Sequence, residues 1–288
     1  MPHLSLPQRH NSLVGIDSDG CVFDSMRVKQ CIHFHPLIIT FWGLEKIEPQ
    51  LRACAEFVNL NSKTRGSNRF AALVRTFALL QSHPDVQDSG ITFPDFSALK
   101  TYLASGVPLG NPTLKQALAQ TPDAELQRIY DWSIAVDKEI ATNMKPVPPF
   151  ATALTALALI QANSDAVVIS QTPEAALTHE WNTHNIRQFV GAVAGLEFGT
   201  KTEQIRAASN GRYAPTRILM IGDAVGDLQA ATATGASFYP IMPDQEEASW
   251  ERFCAEAYPR FLANTYAGDY AQTFTDTFLS ALPDTPPW

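Results

Sequence analysis

The sequence predicts an α/β protein with a parallel sheet and a long helical insert, on three observations. From Pro146 onward, short β-branched segments alternate with helix-like ones, the pattern of βαβ units. One further strand candidate, Leu13–Asp17, lies far upstream of that region. Between the two, from about Met26 to Asn143, apolar residues fall at helical spacing and no alternating strand is found.

Taken in order, the strand candidates are Leu13–Asp17, Ala166–Ser170, Phe189–Val193, Ile218–Gly222 and Ala236–Ile241. Helix candidates at Phe150–Gln161, Glu174–His184, Thr202–Ser209 and Asp227–Thr234 separate them, with Asp227 suited to cap the last and Gly235 to stop it. In the insert, Ile38, Phe41 and Trp42, then Phe70, Leu73, Val74 and Phe77, mark apolar helix faces. Its middle, Ser82–Thr113, is rich in Pro, Gly, Ser and Asp and predicts long loops. Lys145–Phe150 (KPVPPF) is a proline-stiffened return linker. Past Ser249, helical spacing runs through Leu282 and gives way to an irregular LPDTPPW.

The 288 residues suffice for one large domain or two moderate ones, and the formal net charge of -8 argues against binding nucleic acid or an anionic membrane. Cys21, Cys31, Cys54 and Cys254 lie far apart with no CxxC spacing, so reduced thiols and a cytoplasmic location are expected. The opening MPHLSLPQRHNSL has no signal-like apolar core, and Ala151–Ile160 is too short to span a bilayer. His33 and His35 could suggest a metal site, but they stand two apart, a spacing at which helical side chains do not face each other, and a ligand role for them is not expected.

The chemistry is concentrated at the strand ends. Val14–Ser25 reads VGIDSDGCVFDS, and residues i and i+2 of an extended chain point to one side, so Asp17 and Asp19 converge where the first strand stops. Two carboxylates about 4 Å apart repel by about 4 kcal/mol at an effective dielectric near 20, which must be relieved by a cation or by a raised pKa; a bound Mg²⁺ would do it. Ser170 ends the second strand with a hydroxyl for a phosphate oxygen, followed by Gln171. Lys201 opens a helix, where its charge can neutralise a phosphoryl group. The fourth strand ends in Gly222-Asp223, with Asp227 four residues on.

This ordered set, Asp17-Ser18-Asp19-Gly20, Ser170, Lys201 and Gly222-Asp223 with Asp227, resembles the four motifs of the haloacid dehalogenase superfamily of phosphotransferases and phosphohydrolases. The resemblance covers about residues 10–25 and 146–245. It implies a doubly wound, Rossmann-like parallel sheet over residues 1–25 and 145–288, with a helical C1 cap at 26–144 inserted after the first strand. By the same resemblance Asp17 is the nucleophile and Asp19 the general acid and base, while Ser170, Gln171 and Lys201 hold the phosphoryl oxygens. Mg²⁺ would sit on the Asp17 carboxylate, the Asp19 backbone carbonyl and Asp223, with Asp227 a ligand or directly behind one. Gly20 allows the tight turn that brings backbone amides to the phosphate.

Within the insert, Asn61–Phe70 concentrates Lys63, Arg65 and Arg69 around Gly66. Gly66-Ser67-Asn68-Arg69 resembles the substrate-contacting Gly-x-x-Arg of C1 caps, and implies that these residues set specificity. Phosphonoacetaldehyde hydrolases place an imine-forming lysine where Arg69 stands, and arginine cannot form that bond. Haloacid dehalogenases proper lack the second aspartate present here as Asp19. The expectation is a Mg²⁺-dependent phosphohydrolase of a small phosphorylated metabolite. A sugar-phosphate mutase, a phosphonatase-like enzyme and a catalytically silent binding module are the alternatives, and oligomeric state is left open.

Overall fold

The computed structural model describes residues 4–288, so the first three residues of the N-terminal stretch considered above lie outside the described residues. In chain order, strand β1 (Leu13–Ile16) leads to α1 (Ser25–Val28), a π-helical turn (Lys29–Phe34), α2 (His35–Trp42), α3 (Glu48–Asn59), α4 (Arg69–Ser82), α5 (Ser97–Leu103), α6 (Asn111–Gln120) and α7 (Ala124–Asn143). The chain continues with α8 (Ala151–Asn163), β2 (Asp165–Ile169), α9 (Glu174–Thr183), β3 (Ala192–Ala194), α10 (Lys201–Ser209), β4 (Ile218–Gly222), α11 (Val225–Thr234) and β5 (Ser237–Pro240). Helices α12 (Glu246–Arg252), α13 (Tyr258–Leu262) and α14 (Asp269–Ala281) close it.

Two compact units result. One takes the chain up to Met26 and Pro146–Leu282; the other takes Arg27–Lys145 together with Pro283–Trp288. The sequence boundaries had left residues 283–288 with the sheet. They group instead with the helical unit, where Asp284 pairs with Lys63 at 2.6 Å and the Trp288 ring stands edge-on to Phe57.

The sheet unit carries five parallel strands in the order β3-β2-β1-β4-β5. Alternation along each strand divides its core in two. Val14, Ile16, Val168 and Ile221 face one apolar cluster with Leu157 of α8, Trp181 of α9 and Trp250 of α12. Leu13, Val167, Ile169 and Met220 face another with Ile205 of α10, Ala230 of α11 and Phe278 of α14. Helices thus cover both faces, as strands buried along their whole length require.

Three expectations shift locally. The third strand lies at Ala192–Ala194 rather than Phe189–Val193, because Arg187–Phe189 forms a 3₁₀ turn and the Arg187 guanidinium donates to the Val190 carbonyl at 2.6 Å. The loop-rich middle of the insert holds the short helix α5 and a 3₁₀ turn at Pro84–Val86. Asp227 is not the cap of α11 but its third residue, its carboxylate accepting from the Ala224 amide at 3.1 Å. Gly235 does end that helix, in the left-handed region at φ 71°.

The helical unit has its own core, centred on Phe34, Leu51, Phe77, Ile129 and Trp132. Its entries are set by side chains: Asn68 caps α4 by accepting from the Phe70 amide at 3.0 Å, and Asp123 caps α7 by accepting from Leu126 at 2.7 Å. Among the described residues no helix is long and apolar enough to cross a membrane.

Candidate active site

Strand order reverses between β1 and β4: the chain runs outward through β2 and β3, then returns to build β4 and β5 on the other side. The crevice beyond the carboxyl ends of two such strands is where open α/β sheets bind ligands. Asp17 follows β1 directly, its amide donating to the Ile221 carbonyl at 2.9 Å, and Asp223 follows β4.

Gly222 makes this packing possible. A Cβ there would overlap the Asp227 carboxyl group, so the glycine lets the first turn of α11 press its carboxylate against the strand end. Asp17, Asp223 and Asp227 consequently form one buried cluster whose oxygens lie within 4.8 Å of one another. Lys201, the first residue of α10, reaches into it. Its Nζ donates to Asp17 Oδ2 at 2.7 Å and to Asp227 Oδ1 at 2.6 Å. A capping box fixes the lysine's helix end, with Thr200 accepting from the Glu203 amide and Glu203 from the Thr200 amide.

Three carboxylates face one ammonium. Burial raises the Asp17 carboxyl well above its ordinary range, Lys201 opposes it, and Asp227 and Asp223 add to it. Asp227 is raised chiefly by burial, again opposed by Lys201. Burial pulls the lysine downward, but Asp17 and Asp227 more than offset it and hold Nζ protonated. A divalent cation fits this donor set: the oxygens are hard, buried, close together and short of positive charge.

Asp19 stands apart from that cluster. Its Oδ1 accepts from the Ser25 hydroxyl and its Oδ2 from the Thr172 hydroxyl at 2.8 Å. The repulsion expected between Asp17 and Asp19 is met by separate donors, an ammonium for one and two hydroxyls for the other. Gly20 turns the chain directly after Asp19 at φ 79°, in the region only glycine enters freely. Ser18, facing the other way, accepts from the Trp181 indole at 3.0 Å and anchors the loop in the core.

Ser170 is buried past the end of β2, its Oγ accepting from the Thr172 amide at 3.1 Å. Gln171 donates outward to the Gly199 carbonyl at 3.0 Å. Sequence reasoning missed two residues here. Thr172 grips Asp19, and buried Gln204 ties the loops together by donating to the carbonyls of Ser170, Gly195 and Gly199 at 2.8, 2.9 and 3.1 Å. A polar residue in the otherwise apolar stripe of α10 was the available signal for Gln204.

The other predicted residues belong to the helical unit. Arg69 donates to Asp137 at 2.6 Å and to the Ser133 hydroxyl at 3.0 Å, Arg65 donates to the Leu60 carbonyl at 2.9 Å, and Lys63 pairs with Asp284. Gly66 takes φ 72°, reversing the chain ahead of α4. All three cations are committed to neighbours within that unit.

No protein-family model matches the chain, and no curated protein matches it. Solved structures do. A protein from Bacteroides fragilis described as a haloacid dehalogenase-like hydrolase superposes with a TM-score of 0.52 at 15% identity, over 84% of this chain and 93% of that one. A haloacid dehalogenase-like family protein from Streptococcus pneumoniae aligns at TM-score 0.44 and 14% identity, over 83% and 90%. Another, from Xanthomonas campestris, aligns at 0.43 and 16%, over 90% and 99%. The first of these likenesses establishes the fold.

Proposed function

We propose that this chain, built on the haloacid dehalogenase-like fold, is a Mg²⁺-dependent phosphohydrolase that cleaves a small phosphorylated metabolite through an aspartyl-phosphate intermediate. The observation that carries the reading is the buried meeting of Asp17, Asp223, Asp227 and Lys201 at the point where strand order reverses.

Asp17 is the nucleophile. A carboxylate oxygen attacks phosphorus in line as the ester oxygen leaves, and water later displaces the aspartate, so one difficult substitution becomes two easier ones. Lys201 donates to Asp17, favouring its ionised form against the burial that raises its pKa, and balances charge beside the incoming phosphoryl group. Asp19 gives a proton to the leaving oxygen and then takes one from the attacking water, a role worth about 10²- to 10⁴-fold in rate. Ser25 and Thr172 orient it for both steps. Ser170 offers its hydroxyl to a phosphoryl oxygen. Asp17, Asp223 and Asp227, with the Asp19 backbone carbonyl, would hold the Mg²⁺. When bound, the ion neutralises the repulsion between a carboxylate nucleophile and a phosphate dianion. The helical unit acts as the cap that sets specificity, with the Gly66–Arg69 turn as its first candidate.

The test is phosphate release from an aryl phosphate and from a panel of phosphorylated sugars and organic acids, with Mg²⁺ and with a chelator. Activity that depends on Mg²⁺ and is abolished by Asp17→Asn supports the reading; activity surviving Asp17→Asn removes the nucleophile from it. Acid-quenched Asp19→Asn protein should retain a phosphoryl group on Asp17, detected by peptide mass.

A further inference from the structure

We propose that the helical unit contains a second, separate metal site, formed by Cys31, His35 and Glu56 and selective for Zn²⁺. One ligand atom from each of these residues lies within 4.8 Å of the others. Cys31 sits in the π-helical turn Lys29–Phe34 and His35 begins α2, four residues on, so the two side chains project from one face of a continuous helical path. Glu56 comes from α3, packed alongside.

The observation that points to a ligand is the state of His35. Its side chain is fully buried, at 0% relative exposure, and neither Nδ1 nor Nε2 has a hydrogen-bond partner. A buried imidazole without a partner is rare, because desolvating two polar nitrogens is costly unless something replaces water. Metal coordination does so by using the lone pair of a neutral ring. Burial, and secondly the Arg52 guanidinium, lower its pKa to about 4, which favours the neutral ring. Arg52 is itself occupied, donating to Glu48 at 2.7 Å and to the Cys31 carbonyl at 3.0 Å.

The π turn belongs to the same picture. The His35 amide bonds to the Gln30 carbonyl, five residues back, which widens the helix between the two candidate ligands. Such insertions recur at functional sites. Sulfur, imidazole and carboxylate together suit Zn²⁺, whereas Mg²⁺ and Ca²⁺ take oxygen ligands almost alone. Ligand atoms on a tetrahedral zinc lie about 3.5 Å apart, so the cluster has to contract slightly, by rotation of the partly buried Cys31 and Glu56 side chains. Binding breaks the Cys31 S–H bond and forms S–Zn, and the proton goes to solvent. With Glu56 ionised, the two anionic ligands balance the cation's charge, and the fourth position is left for water.

The experiment uses the full chain, stripped of metal, with excess Mg²⁺ present to occupy the aspartate cluster, and titrates Co²⁺ and then Zn²⁺. The expected result is one equivalent of Co²⁺ with a near-ultraviolet thiolate-to-cobalt band, displaced by one equivalent of Zn²⁺. Cys31→Ser should lose the band, and Cys31→Ser and Glu56→Gln should each weaken Zn²⁺ binding at least tenfold while keeping the wild-type circular dichroism. His35→Gln, the buried variant, should do the same if it folds. Absence of the band in wild-type protein overturns the proposal, as does undiminished Zn²⁺ binding by Cys31→Ser. Neither outcome depends on the phosphohydrolase reading, which is measured separately through phosphate release.

Discussion

The Thr172 hydroxyl donates to Oδ2 of Asp19 at 2.8 Å, joining residues 153 positions apart in sequence. It fixes a carboxylate that, in the proposed mechanism, both donates and accepts a proton. Thr172→Val removes the donor with little change of shape. A hydrogen bond to a charged group is worth about 1.5–3 kcal/mol, so kcat should fall by about 10- to 100-fold with KM little changed. A variant with wild-type kcat would separate Thr172 from the proton step.

The Lys201 ammonium pairs with two of the three aspartates of the cluster, Asp17 and Asp227. Lys201→Ala leaves buried carboxylates without their partner, which costs about 3 kcal/mol or more of stability. Thermal unfolding without metal should show that loss, and Mg²⁺ should raise the variant's Tm more than the wild type's. Turnover should fall by about 10²-fold even at saturating Mg²⁺.

The same cluster sets a pH dependence. Burial holds the Asp17 and Asp227 carboxyls above the ordinary 3.8, so above that value the folded, metal-free chain keeps protons that the unfolded chain has lost. Stability therefore falls as pH rises toward the folded-state values. The raised Lys201 pKa acts in the same sense, but only near and above the ordinary 10.5. Mg²⁺ bound at the cluster as proposed would replace the retained protons. The gain in Tm on adding Mg²⁺ should thus be larger at about pH 8 than at about pH 5, and calorimetry in buffers of different ionisation enthalpy should detect proton release on binding.

Gly222→Ala tests the close approach of strand and helix. The added methyl overlaps the Asp227 carboxyl group, so α11 must move or the carboxylate must turn away. Overpacking of this kind costs about 1–3 kcal/mol. Mg²⁺ affinity should drop together with stability, whereas Gly211→Ala, where a Cβ meets nothing within 4 Å, should leave Mg²⁺ affinity unchanged.

Trp288 is predicted to matter to the helical unit. Its ring lies 5.9 Å from Phe57 and 5.4 Å from His83 between centroids. Trp288→Ala should lower stability by about 1 kcal/mol, measured by urea unfolding.

What could be read from the sequence was what adjacent residues encode. The parallel strands show as short β-branched runs, and Asp17, Lys201 and Asp223 each stand at an element end, where a local pattern betrays them. Thr172 could not be read this way: it is an ordinary turn residue until the fold places Asp19 beside it. The same holds for Cys31, His35 and Glu56. His35 was weighed against His33, two residues away, while its neighbours in space are four residues back and on a different helix. Arg69 shows the limit from the other side. Its motif spacing is visible in sequence, but the Asp137 that holds it lies 68 positions away.

Residues 283–288 return to the unit formed by 27–145, so the polypeptide passes between its two units three times rather than twice. An insert bounded by one exit and one return can be excised, transplanted or exchanged between relatives as a cassette. This one cannot. A fragment of 27–145 lacks the Trp288 edge against Phe57 and His83, and a sheet unit joined from 26 to 146 keeps a tail whose seat has been removed. Grafting the helical unit onto another scaffold therefore requires a second, C-terminal splice, and inherited changes in Phe57 or His83 should be matched by changes in the tail rather than in the sheet.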